Sequence, residues 1–547
     1  MKNKDLKIGL AFSGGGFRAS SFSLGVLSFL NEVKIGDSNL LSKVYALSTI
    51  SGGTITGARY ALGIKNKEPF NHIYWSIYDF MAETDLVNLS LNNLISKRED
   101  EDSRTKSLIT AFADVYDKLL FDKGKFGTIL SESNPVHLKH ISFNATEFNN
   151  ALQFRFQQTE KIKNTKAGEP DKGIIGNNYY RLPEDIAKEI RLADILASSS
   201  CFPGGFEPIN FPSDFALPEN IKLSEYFDED KFPVGLMDGG IVDNQGIEPL
   251  LLTEQRMKKD NEDKAKTEEN EFDLLIISDV TSPYMEGFKK SNARKLNFWR
   301  RLNLKRLIIS NLLILASSVI GIIYSLNRNI ETLSVLFTAI ITLSLLLYFI
   351  LAFIRKLPLS FQVPEAFLKP FRKLLKVKFS VYENMILNRS NSLLMMTSEV
   401  FLKHIRRLNY NKIYQDSSWK NRRIMNAIYE LRTEEERLQT KIKSGKLSEE
   451  LVPSSAIQKV ASIASAMGTT LWFTKDELEE KDMLNSIIAC GQFTMCWNLL
   501  EYIQKIKNNS VNTNERHLEL LKLEEQLMDF WNKFKDEPFW LVNSIKR

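Results

Sequence analysis

Apolar runs cut off by glycine turns set the rhythm of the first 280 or so residues. KIGLAF at 7–12 has no polar interruption, the pattern of a strand buried on both faces, and Ser13-Gly14-Gly15-Gly16 ends it. In the following SSFSLGVLSFLNEV, Phe22, Leu24, Val26, Leu27, Phe29 and Leu30 lie on every side, which predicts a largely buried helix. A second apolar run, Val44 to Ser48, enters Thr49-Ile50-Ser51-Gly52-Gly53, and TITGARYAL beyond it is helix-compatible. Residues 64–135 read as mostly helical, with Lys97–Arg104 a solvated face or loop. HISFNA at 140–145 and the alternating ALQFRFQ at 151–157 read as strands, and IRLADILASS at 190–199 as a helix. Another apolar run ends in Asp238-Gly239-Gly240. Residues 254–271 form a polar insertion, an exposed helix or loop, and FDLLIISD at 272–279 is again a fully buried strand. Buried strands interleaved with helices predict an α/β layer structure with a mainly parallel sheet.

The pattern then changes scale. Leu307–Leu326 and Leu333–Ile354 carry no ionisable side chain except Tyr324 and Tyr348, and as helices each spans about 30 Å, the depth of a bilayer core. Arg300, Arg301, Lys305 and Arg306 precede the pair, Arg355 and Lys356 follow it, and the short turn between has Arg328 offset by Glu331. This charge bias predicts that both ends, and with them the N-terminal domain and both termini, lie on the cytoplasmic side. Lys369, Arg372, Lys373, Lys376 and Lys378 continue the basic character, as a topology signal or as a collar for anionic headgroups. The remainder reads as helical. Ile424, Ile428, Leu431, Leu438 and Ile442 recur at helical steps within 418–443, and 517–535 looks alike. Each is expected to be a helix packed on its own domain or, alternatively, an arm that docks a protein partner or a second copy. The expected division is 1–290, the α/β domain; 291–360, the apolar hairpin with its flanks; and 361–547, a helical part that completes and extends the first.

Composition narrows the chemistry. A net charge of +5 on 547 residues does not suggest a nucleic-acid binder. Three cysteines, Cys201, Cys490 and Cys496, cannot build a disulfide framework and point to a reducing compartment. His137 and His140 lack a carboxylate beside them, so the expectation is a structural role and no metal centre. The charged start, Met1–Lys7, does not read as a signal peptide. Strand, glycine loop and helix at 7–30 make an anion-binding geometry of backbone N–H groups at a helix N-terminus. Gly14-x-Gly16-x-x-Ala19 also fits a dinucleotide fingerprint, but the second strand runs into Ser51 and supplies no acid for a ribose. A Gly-Lys-Ser/Thr phosphate loop is absent too. A serine between strand and helix, followed by two glycines, is the pattern of a nucleophile elbow. Thr49 stands where such an elbow usually has its first glycine; its Cβ is expected to crowd the turn, setting the helix farther out or impairing the site.

The glycine loop, the serine elbow and the later Asp-Gly-Gly occur in one order, and that combination resembles the patatin-like phospholipase family. ASSSCFPGGFEPI at 197–209 and FNATEF at 143–148 carry the resemblance further. It covers residues 7–283 well, and more loosely 378–410 and 453–500, where PSSAIQKVASIASAMGTTLWF and the Gly491 region look like C-terminal helices of bacterial members. The resemblance implies a three-layer fold, a Ser-Asp dyad of Ser51 as nucleophile and Asp238 as general base, and an oxyanion hole from Gly14, Gly15 and Gly16. Gly52, Gly53, Gly239 and Gly240 would shape the turns, and Arg18 would fix the loop, meet an anionic headgroup or form a salt bridge. It implies no metal and no cofactor. A carboxylate of ordinary pKa near 4 is a poor base, so Asp238 has to be buried. The expected activity is that of a membrane-anchored serine hydrolase, of phospholipase A or lysophospholipase type, releasing fatty acids from membrane phospholipids. Two alternatives use the same residues: an acyltransferase with the same dyad, and a catalytically impaired membrane scaffold that binds partners.

Overall fold

The computed structural model describes residues 6–95, 104–133, 136–159, 175–218, 221, 233–263, 270–281, 288, 302–360, 377–508 and 521–547. The chain divides into two compact units, Met1–Met285 with Ser398–Arg547, and Glu286–Thr397.

The first unit is built on one sheet, eight strands among the described residues: β1 (Ile8–Phe12), β2 (Val44–Ile50), β3 (His140–Glu147), β4 (Leu152–Thr159), β5 (Ile209–Phe211), β6 (Val234–Asp238), β7 (Leu274–Asp279) and β8 (Arg423–Ala427). Their order is β8-β7-β1-β2-β3-β6-β5, with β4 paired to β3. Strands β8, β7, β1, β2 and β3 run parallel; β4 and β6 run antiparallel to β3, and β5 antiparallel to β6. The sheet is therefore mixed and mainly parallel, as the uninterrupted apolar runs predict.

Burial on both faces explains those runs. Along β7, Leu274 and Ile276 join one apolar cluster while Leu275 and Ile277 join the other. The larger cluster takes α1 (Gly16–Glu32), α2 (Gly52–Lys65), α3 (Leu192–Ser200), α8 (Ser455–Ala466), α9 (Met483–Asn508) and α10 (Glu524–Asp536). The smaller takes α4 (Ile247–Asp263) and α7 (Leu402–Tyr414). Helices α1 and α9 cross where neither has a side chain: a Cβ on Gly25 would lie 2.1 Å from the Ile488 carbonyl oxygen, and one on Gly491 2.3 Å from that of Phe22.

Two C-terminal expectations resolve differently. Residues 418–443 are not one helix. A turn at Ser417–Trp419 leads into β8, and a separate short helix covers Glu436–Lys443. Ile424 and Met425 face opposite clusters, and Leu275 N–H donates to the Arg422 carbonyl at 2.8 Å, so pairing with β7 overrides the helical spacing. The closing segment is the helix α10, whose Leu527, Phe530, Trp531 and Phe534 are buried on their own unit; residues 517–520 lie outside the described residues. The polar insertion begins as α4, with 264–269 outside the described residues, as are 97–103 of the charged run and the basic residues at 300, 301, 369, 372, 373 and 376.

The second unit holds α5 (Leu304–Asn327) and α6 (Glu331–Ser360), which enclose both expected spans. They pack closely: a Cβ on Gly321 would meet the Phe337 ring at 2.5 Å, and Asn311 Nδ2 donates to the Ser344 carbonyl at 2.9 Å. Mean hydropathy reaches 2.3 and 2.6, yet only 11% of each apolar window is buried, and Leu313, Ile320, Leu343 and Phe349 project outward. These two helices are long and apolar enough to cross a membrane.

Candidate active site

Strand register brings Ser51 and Asp238 together. The edge of β3 is shared: Ile50, ending β2, pairs with Asn144, and Asp238, ending β6, pairs with Ala145. The two strands approach head-on over adjacent residues of β3, and their ends meet at the gap. Asn144 braces it, donating from Nδ2 to the Thr49 carbonyl at 3.0 Å and to Ser48 Oγ at 3.1 Å.

Ser51 occupies the turn between β2 and α2 with φ 48° and ψ −122°, a conformation that L residues hold only when the surroundings enforce it. The glycines after it are required by contact. A Cβ on Gly52 would fall 2.0 Å from the Gly16 carbonyl oxygen, and one on Gly53 2.7 Å from that of Ser13. The start of α2 thus lies directly on the glycine loop. Thr49 does not displace the helix as its size suggests. A Cβ on Gly57 would be 2.4 Å from Thr49 Cγ2, so the glycine missing from the strand is compensated by one on the helix.

A hydroxyl chain holds the strained turn. Ser199 Oγ donates its one proton to the Asn144 carbonyl at 2.7 Å and accepts from Ser51 N–H at 2.9 Å. Thr54 Oγ1 lies 3.0 Å from Ser199 Oγ and Thr49 Oγ1 3.0 Å from Thr54 Oγ1. With the Ser199 proton committed, Thr54 donates to Ser199 and Thr49 to Thr54. Ser199 lies within the 197–209 segment singled out in the sequence, but its role there had no local signal.

Burial pushes Asp238 from 3.8 up to about 6, against the opposing effects of the neighbouring Ser51 hydroxyl and of the hydrogen bond it accepts from Gly240 N–H, 2.7 Å long. Its backbone is fixed by its N–H to the Cys201 carbonyl at 2.9 Å and by Thr146 Oγ1 to its carbonyl at 2.8 Å. Gly239 is needed because a Cβ there would lie 2.4 Å from the Asn144 carbonyl oxygen.

The glycine loop lies across from this pair; a Cβ on Gly14 would touch Ser51 Cβ at 3.3 Å. Gly14 N–H does not face an empty site, since it donates to the Asn244 carbonyl at 3.0 Å. The N–H groups of Gly15 and Gly16 have no acceptor among the described residues, and Gly15, with φ 144°, opens α1. The candidate donor set is therefore two groups at a helix N-terminus, not three. Asn244, missed as a functional residue, sits between loop and turn: its Oδ1 would be 2.5 Å from a Cβ on Gly14 and 2.7 Å from one on Gly240, and its Nδ2 donates to Thr281 Oγ1 at 2.8 Å.

The far side of the loop is gripped by a segment late in the chain. Phe17 N–H donates to the Thr470 carbonyl at 2.8 Å, and a Cβ on Gly16 would lie 2.2 Å from the same oxygen. Arg18 donates from Nη1 to the Met467 carbonyl, and burial lowers its pKa to about 10 although Asp279 and Glu399 act to raise it. Among the described residues it fixes the loop through a carbonyl and forms no salt bridge.

The histidines take no part. His137 Nε2 lies 3.0 Å from Tyr60 Oη, and burial lowers His137 and His140 to about 4 and about 3, both neutral. Among the described residues no group of three His, Cys, Asp or Glu side chains is placed to hold a metal ion. A hydroxyl beside a carboxylate of raised pKa, across from N–H groups that have no acceptor among the described residues, suits acyl transfer through serine. Residues 10–251 match the family model described as Patatin-like phospholipase. No curated protein matches this chain.

Proposed function

This chain carries a patatin-like phospholipase domain over residues 10–251, and from that premise we propose a membrane-anchored lipid acyl hydrolase that works through Ser51 and Asp238. The supporting observation is the meeting of Ser51 and Asp238 at the strand ends, where Ile50 of β2 and Asp238 of β6 pair with adjacent residues of β3, the Asp238 carboxyl being raised by burial to about 6. At neutral pH such a group is mostly ionised, yet a far better base than an exposed aspartate. Asp238 takes the Ser51 proton as Oγ attacks the ester carbonyl, and the oxyanion is received by Gly15 and Gly16 N–H. The proton passes to the departing alcohol of the lysolipid. Water, deprotonated by Asp238, then releases the fatty acid and restores Ser51. Gly14 contributes by position, through Asn244. Loss of one oxyanion donor typically removes about 3 kcal/mol of transition-state stabilisation.

The second unit supports a membrane-lipid substrate. Helices α5 and α6, anchored in a bilayer with the basic flanks and both chain ends on the cytosolic side, keep the site at a phospholipid surface. The test is fatty-acid release from mixed phospholipid vesicles by detergent-purified protein and its Ser51→Ala form. Release by the parent alone supports the reading. Equal release by both, or none by folded parent protein, overturns it.

A further inference from the structure

At its β8 end the sheet stops one strand short of its helix layers. In the parallel pair β7/β8, Leu275 N–H donates to the Arg422 carbonyl at one end and Ile428 N–H to the Asp279 carbonyl at the other. This register turns the main-chain groups of 422, 424, 426 and 428 toward β7. Those of Arg423 and Met425, with the Ala427 N–H, point away from the sheet, and among the described residues they have no hydrogen-bond partner. Directly along that edge runs a cavity of about 570 Å³ lined by Arg423, Met425 and Ala427 of β8 itself. Tyr414 of α7 bounds it from one helix layer, and Trp497 and Glu501 of α9 from the other. The slot therefore lies in the plane of the sheet, between the layers, where a ninth strand would lie.

Its charge is one-sided. Arg423, Arg437, Lys441, Lys446 and Lys505 line it, against Glu430, Glu435 and Glu501. Lys441 is paired with Glu501, and Arg432 lies 3.8 Å from Glu435. Glu430 accepts from Asn498 and is raised by burial to about 7, which halves its charge near neutrality. Arg437 and Lys446 have no carboxylate partner among the described residues, and Arg423 and Lys505 are met by the carbonyls of Ile413 and Lys420. A second copy of β8 pairing edge to edge would set Arg423 and its neighbours against the same cations, which is unfavourable.

We infer that the β8 edge is a docking slot for an extended, acidic segment of a partner polypeptide, which adds a strand through the outward groups of Arg423, Met425 and Ala427 and sets its carboxylates against Arg437, Lys446 and Lys505. The inference is independent of the hydrolase reading, because no residue of the slot belongs to the Ser51 site.

The test uses the full chain in detergent and a labelled peptide alternating Glu with Val, followed by fluorescence anisotropy. The expected result is saturable binding that weakens with salt, and none for the Lys/Val counterpart. N-methylating one alternate set of peptide residues weakens binding at least tenfold, whereas methylating the other set leaves it within about twofold, because only one set faces β8. Met425→Pro removes an outward donor without touching the ladder to β7, and is expected to weaken binding at least tenfold with fatty-acid release unchanged. Equal binding of the Lys/Val peptide, equal effects of the two methylation sets, or absence of binding overturns the proposal. So does concentration-dependent dimerisation that Met425→Pro abolishes and the acidic peptide fails to compete with.

Discussion

Asp238 and Asp279 each close a strand of the same sheet, and each is almost wholly inaccessible, 7% and 0% exposed. Their surroundings drive them in opposite directions. Asp279 accepts Arg406 Nε and Tyr410 Oη at 2.7 Å each, with Thr281 N–H at 2.8 Å. Burial opposes its ionisation, but the Arg406 guanidinium and these donors outweigh it and hold the carboxyl below 3.8. Among the described residues Asp238 accepts one backbone N–H and has the Ser51 hydroxyl beside it, and burial wins, up to about 6. A buried carboxylate with a full complement of donors is locked in one charge state. One with too few can take up and return a proton. The difference separates an aspartate that holds the fold from one suited to chemistry.

Exchanging each for its amide sharpens this contrast most. Asp238→Asn is expected to lower fatty-acid release by at least ~10³-fold, while the melting temperature holds or rises, because an under-solvated charge is removed. Asp279→Asn should do the reverse. It leaves the Arg406 guanidinium buried without its anion, a loss of about 3–5 kcal/mol, visible as a lowered melting temperature. A fully active Asp238→Asn, or an unperturbed Asp279→Asn, would break the comparison.

Next in size is the response to pH. Asp238 has a folded value above its unfolded one, so its deprotonation erodes stability as pH climbs from about 4 to 6, while activity rises with a midpoint near 6. Asp279 has a folded value below its unfolded one, so its contribution is complete above pH 4 and is lost as pH falls through the lowered folded value. Thermal melts across pH 3–8 should show the decline between 4 and 6 flattened in Asp238→Asn, and the acid limb flattened in Asp279→Asn.

Smaller effects probe the hydroxyl chain around Ser51. Ser199→Ala leaves the Ser51 N–H without an acceptor, at a cost of about 1–3 kcal/mol, and should reduce kcat roughly tenfold or more, with KM little changed because Ser199 is fully buried. Thr49→Gly is expected to matter least. It restores the usual elbow glycine, but the room for Thr49 already exists at Gly57, so kcat should stay within about threefold and stability fall by about 1 kcal/mol. A large gain in kcat would mean that Thr49 does impair the turn.

What the sequence disclosed was local. β1, the glycine loop, β2 with Ser51, and the Asp238 turn each announce themselves by an apolar run ending in glycines. The hairpin does so by length alone. What it concealed depends on contacts across the fold. The apolar spacing of 424–442 suits a helix, and only pairing with β7, far upstream, makes β8 a strand. Gly57 has its meaning through Thr49, Ser199 through the backbone of Ser51 and Asn144, and Asn244 through Gly14, whose N–H its carbonyl accepts. None of these partners is visible until the strand ends meet over β3.

The grip on the glycine loop has a consequence in the order of protein synthesis. Arg18 finds its carbonyl partner, Met467, 449 residues later in the chain. A ribosome that has released Ser51, Asp238 and the apolar hairpin has still not delivered the segment that holds Gly16 and Phe17 in place. A prematurely terminated product would carry Ser51, Asp238 and the apolar hairpin while its glycine loop stays unclamped. Translation of the last part of the chain thus acts as the final assembly step of a candidate site whose Ser51 and Asp238 were made first.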